Sequence, residues 1–75
     1  MKVWIVEDSE DENSRTYIAD VRLTRPTFED LRAYVEIEDP ATEWLPARNE
    51  DGYMTANYGA RGEFVIRASS REVTE

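Results

Sequence analysis

Hydrophobic and polar positions along the chain change rhythm four times. Lys2 to Glu7 (KVWIVE) is a short run of β-branched and aromatic residues, which predicts a strand. Arg15 to Leu23 (RTYIADVRL) alternates. Tyr17, Ala19, Val21 and Leu23 fall on one face and Thr16, Asp20 and Arg22 on the other, with Ile18 out of phase. Period 2 with one apolar face predicts a second strand, covered on one side. The two strands form an antiparallel hairpin with the segment between them near its tip.

After Arg25-Pro26 the period lengthens. Phe28, Leu31 and Val35 make an i, i+3, i+7 stripe with Tyr34 beside it, while Glu29, Arg32, Ala33 and Glu36 face outward. Thr27 is placed as an N-cap with Asp30 at the capping-box position, and Pro40 ends the element. A helix over 28–37 is predicted. Trp44 and Leu45 read as an anchor under a loop, and Pro46 argues against a central strand there. Asn49 to Gly52 reads as a turn with Asp51-Gly52 at its heart. Tyr53 to Tyr58 alternates, Gly59 to Gly62 turns, and Glu63 to Ala68 returns as the last strand, leaving a polar, frayed tail from Ser69.

The order is therefore β-β-α-β-β. It predicts one α+β domain over 1–75, a four-stranded antiparallel sheet covered on one face by a single helix. The expected core is Val3, Ile5, Tyr17, Ala19, Val21, Leu23, Phe28, Leu31, Val35, Trp44, Phe64 and Ile66. Trp4 is read as core or strand cover rather than as a ligand platform, because aromatics favour half-buried strand faces.

Charge changes this picture. The chain has 17 acids, 9 bases and no histidine or cysteine, for a net charge of −8. Residues 1–51 hold 14 acids and 6 bases, and residues 52–75 hold 3 of each, so the whole imbalance lies in the first two thirds. Such a field repels nucleic acid and membrane surfaces and attracts a basic partner. Direct binding of DNA or RNA is not expected. No apolar stretch near the start is long enough for a signal-peptide core or a membrane span, so a soluble, cytoplasmic protein is expected. Eight of the nine bases are arginine, a bias that fits a GC-rich genome or a halophile.

The densest acidity is EDSEDE, residues 7–12. It does not make a calcium loop. Counted from Asp8, the required glycine and glutamate positions are Asn13 and Ala19. It does not make a catalytic carboxylate pair, because a short chain without histidine or cysteine offers neither cleft nor helper groups. No cofactor, metal or catalytic residue is expected, and the chain is not read as an enzyme. The bland reading of the run is a solvated loop that contributes solubility.

The sharper reading is geometric. Alternate residues on a strand lie about 6.6–6.8 Å apart and helix turns about 5.4 Å apart, the same order as successive phosphates on a nucleic-acid strand. Glu7, Asp8, Glu10, Asp11 and Glu12 form one candidate row, and Glu29, Glu36, Glu38 and Asp39 another. Carboxylates so arranged could occupy an arginine- and lysine-lined patch that expects phosphates. Tyr53 and Tyr58, in the neutral third, are candidates for a second contact surface or a homodimer edge, with packing under the helix as the alternative.

In size, acidity, absence of histidine and cysteine, and α+β layout, the whole chain resembles the short phage-encoded inhibitors of host defence, the anti-CRISPR proteins and other DNA mimics. The resemblance is compositional and no motif carries it. It implies an inhibitor of a protein with a basic nucleic-acid-binding surface, a CRISPR effector subunit for example, acting in the host cytoplasm. The alternative is a small halophilic or phage accessory domain whose acidity serves hydration and whose partner binds the C-terminal hairpin.

Overall fold

A computed structural model describes residues 1–9 and 16–74. The elements are β1 (Lys2–Ser9), β2 (Thr16–Arg22), α1 (Phe28–Glu36), β3 (Arg48–Glu50), β4 (Tyr53–Tyr58) and β5 (Phe64–Glu72). The strands make one antiparallel sheet in the order β2-β1-β5-β4-β3. The α+β class holds, but the expected four-stranded sheet is corrected to five.

The extra strand is β3, which the sequence presents as part of a turn. It is short, polar and at the edge, so no apolar alternation marks it. Its support comes from elsewhere. The Arg25 guanidinium lies 4.9 Å over the Trp4 ring and donates to the Glu50 carbonyl at 2.8 Å and to the Asn49 side chain. The turn that follows is as expected, with Gly52 at φ +85.

β5 also runs further than its apolar part. Ser69 to Glu72 continue the strand and pair with β1, from Lys2↔Glu72 to Ile5↔Ser69. β1 is longer too, so Asp8 and Ser9 belong to a strand, not to the acidic loop. Their ladder hydrogen bonds on both sides come from β2 and β5.

The helix starts at a reciprocal capping box. Thr27 Oγ1 accepts from the Asp30 N–H at 3.1 Å, and the Asp30 carboxylate accepts from the Thr27 N–H at 2.8 Å. α1 lies over one face of the sheet and buries Leu31 and Val35 there.

The sheet's phase is the main correction to the core. Val3 and Ile5 were expected inside, but Trp4, Val6 and Asp8 are the buried members of β1. Tyr17, Val21 and Leu23 of the expected core are exposed. The core is Trp4, Val6, Leu31, Val35, Met54, Ala56, Tyr58, Ile66 and Ala68, with Phe28, Trp44 and Phe64 packed against it. The physical reason is that both faces of β1 are apolar, so alternation alone does not fix which one the helix covers. β2 adds a register shift opposite Val6 and Glu7, and this explains why Ile18 breaks its alternation.

Among the described residues, the opposite face of the sheet carries no helix. Register places Ile5, Val21, Ser69 and Tyr53 on one row across it, and Ile18, Glu7, Arg67 and Thr55 on the next.

Candidate functional site

The buried phase of β1 carries a carboxylate inward with it. Asp8 is only 7% exposed. Its β2 neighbour is Tyr17 and its β5 neighbour is Ile66. The Tyr58 hydroxyl reaches over from β4 and donates to Asp8 Oδ1 at 2.6 Å, and the Tyr17 hydroxyl donates to Oδ2 at 3.2 Å. Hydrogen bonds to an ionised oxygen are the stronger kind, and they offset part of the cost of taking the carboxylate out of water. Tyr58 is held in turn by rings. Trp44 lies 5.2 Å and Phe64 5.4 Å from it, centroid to centroid, and Phe28 meets Trp44 edge-on at 5.7 Å.

Above Asp8 a cleft of about 720 Å³ opens between β2 and the C-terminal end of α1. Tyr17, Tyr34, Tyr58 and Phe64 give it aromatic walls, and Ile37, Glu38 and Asp39 line it from beyond the helix. Among the described residues, its lining contains three carboxylates and no basic residue.

A second polar group borders it. The Tyr34 hydroxyl donates to Asp20 Oδ2 in a short hydrogen bond, and the Val21 N–H donates to Asp20 Oδ1 at 2.8 Å. The Tyr34 bond, followed by the Val21 bond, holds the Asp20 carboxyl below its usual value. Burial, followed by the same bond to Asp20, pushes the Tyr34 hydroxyl above its usual value. Asp30 is also lowered, chiefly by the Thr27 backbone N–H and then by the charge of Arg22, which lies 3.3 Å away.

The candidate acidic surface is divided. Glu7 lies on the helix-free face, 3.7 Å from Arg67. That contact is an ion pair without a hydrogen bond, since Glu7 Oε1 has no donor. Asp8 faces the opposite way and is buried, so the two do not form one surface row. Glu10, Asp11 and Glu12 lie outside the described residues. Glu29 and Glu36 are two turns apart on α1; Glu29 is exposed, and Glu36 pairs with Arg32 at 2.9 Å. Glu38 and Asp39 are exposed just past the helix and border the cleft. Tyr53 is half-buried on the helix-free face, and Tyr58 is in the core on the other. Five residues apart on one strand, the two tyrosines cannot share a surface.

Tyr17, Tyr34 and Phe64 belong to the cleft, but sequence reasoning assigned all three to packing. The signal was present in the parity of β1. Trp4, Val6 and Asp8 are alternate residues, so burying Trp4 buries Asp8.

The architecture of the described residues is a small open-faced sheet with one helix and an acidic, aromatic-walled cleft. Comparison with known proteins gives no match: no family model fits the chain, and no curated protein or solved structure is significantly similar to it. No helix among the described residues is long and apolar enough to cross a membrane, and no group of three or more potential ligands among them is arranged to hold a metal ion.

Proposed function

We propose that this chain is an acidic binding protein that occupies the basic, nucleic-acid-binding surface of a partner protein, in the manner of DNA-mimic inhibitors of host defence. The observation that carries the reading is the uneven placement of a net charge of −8. Arg67 and Arg71 of β5 and Arg48 of β3 project on the helix-free face, beside Glu7 and Glu50. Around the end of α1, Glu38 and Asp39 are exposed and form no ion pair among the described residues, and neither does Glu29 in its first turn. The contact surface is therefore the helix side, with Glu29, Glu38 and Asp39 as its described members.

Capture on immobilised nucleic-acid-binding effector complexes tests this. Binding is expected to weaken steeply with salt and to be competed by duplex DNA, because both sides of the contact are charged. The triple variant Glu29→Gln, Glu38→Gln, Asp39→Asn is expected to lose at least about tenfold in affinity. A complex indifferent to both salt and DNA rules the reading out.

A second reading is favoured by the helix-free face, where Ile5, Val65 and Tyr53 are only half-buried and the charges nearly balance. If that face takes the partner, Tyr53→Ala abolishes capture and the triple charge variant leaves it intact.

A further inference from the structure

We infer that the cleft above Asp8 takes an arginine side chain presented by a partner protein. A carboxylate withdrawn from water is costly unless a cation or several donors compensate it. Asp8 has two tyrosine hydroxyls, which use two of roughly four acceptor sites on an ionised carboxylate. Among the described residues, no arginine or lysine forms an ion pair with it. The space beside it is walled by aromatic rings and edged by two further carboxylates, Glu38 and Asp39.

This chemistry selects the occupant. An anion is repelled by three carboxylates. A neutral group leaves the Asp8 charge uncompensated. A guanidinium is planar, weakly hydrated and always charged, so it can lie against a tyrosine face while directing donors at a carboxylate. Its aliphatic stem finds apolar surface at Val35 and at Ile37, which is 83% exposed at the mouth. An ammonium is compact and strongly hydrated, and it gains less from the rings.

The inference rests on the reading of a basic partner, but its test needs no partner. The full chain, labelled with nitrogen-15, is titrated with N-acetyl-arginine methylamide, with its uncharged isostere N-acetyl-citrulline methylamide, and with the lysine analogue. The arginine probe is expected to give saturable amide shifts at Tyr17, Ile18, Tyr34 and residues 37–39. Citrulline is expected to bind at least about tenfold more weakly and lysine to fall between them.

Asp8→Asn is expected to abolish the saturable shifts. Because that variant also weakens two tyrosine bonds, Glu38→Gln with Asp39→Asn serves as a second probe at exposed positions, expected to weaken arginine binding several-fold. Absence of saturable shifts, equal binding of citrulline, equal binding of lysine, or unchanged affinity in the Glu38/Asp39 variant overturns the inference. Failure here removes the cleft's occupant alone; the capture and competition assay still decides the wider reading.

Discussion

Asp8 concentrates the physical tension of the molecule in one residue. It is an acid in the core of a small domain, held by the Tyr58 and Tyr17 hydroxyls. Tyr58→Phe keeps the ring contacts and removes one charge-assisted bond. It is expected to cost about 1.5–3 kcal/mol in urea unfolding. Tyr53→Phe, on the helix-free face, is expected to stay within about 0.5 kcal/mol of wild type. The Asp20–Tyr34 pair makes a different prediction, in pH. The depressed Asp20 carboxyl contributes stability that is present above its usual 3.8 and lost as pH falls through its lower folded value. The raised Tyr34 hydroxyl contributes stability that is present below its usual 10.0 and lost as pH rises through its higher folded value. Tyr34→Phe removes the second effect and the largest part of the first, leaving the Val21 N–H bond to Asp20 in place. Urea midpoints across pH should therefore show the greatest gap between wild type and variant near neutrality, narrowing toward both extremes. A gap independent of pH would assign Tyr34 a packing role only.

At the level of elements, the phase of β1 is the feature most open to test. Val6 is fully buried and Ile5 is not. Val6→Ala should cost about 2 kcal/mol, and more than Ile5→Ala, although the latter removes the larger side chain. The reverse order would mean that the helix covers the other face. Much of the element string is legible in the sequence. β4 and the helix start are marked by clean alternation and by a Thr27–Asp30 cap, and the structure places Tyr53–Tyr58 and Phe28 accordingly. Three things are not legible. β3 is formed by pairing and by Arg25, with no apolar signal of its own. The end of β5 is polar and held by β1, a partner more than sixty residues away along the chain. The phase of β1 is ambiguous because valine, tryptophan, isoleucine and valine follow one another, and only tertiary contact with α1 decides it. The cleft inherits that ambiguity, since the inward turn of Asp8 depends on the same phase.

Across the whole molecule, the imbalance that the sequence confines to residues 1–51 becomes an imbalance between faces. β5, from the neutral third, lies between β1 and β4 and places Arg67 and Arg71 outward on the helix-free side. A net charge of −8 on 75 residues opposes compaction through self-repulsion. Raising salt from about 0.01 M to 0.15 M shortens the screening length from about 30 Å to about 8 Å. Thermal unfolding should therefore shift upward over that interval and level off beyond it. Continued stabilisation into molar KCl would instead favour a halophilic accessory domain, whose acidity serves hydration.

The sheet order also dictates when this protein can take shape. Two neighbouring interior strands, β1 and β5, are the first and the last along the sequence, with Lys2 opposite Glu72. During synthesis, β1 emerges with only β2 to pair with, and the seam on its other side stays open until residue 72 has left the ribosome. Long-range pairing of this kind folds slowly, because the loop it closes runs from Lys2 to Glu72. The nascent chain therefore stays protease-sensitive until β5 has emerged and paired with β1. Removing β5 would leave two separate hairpins and no common sheet.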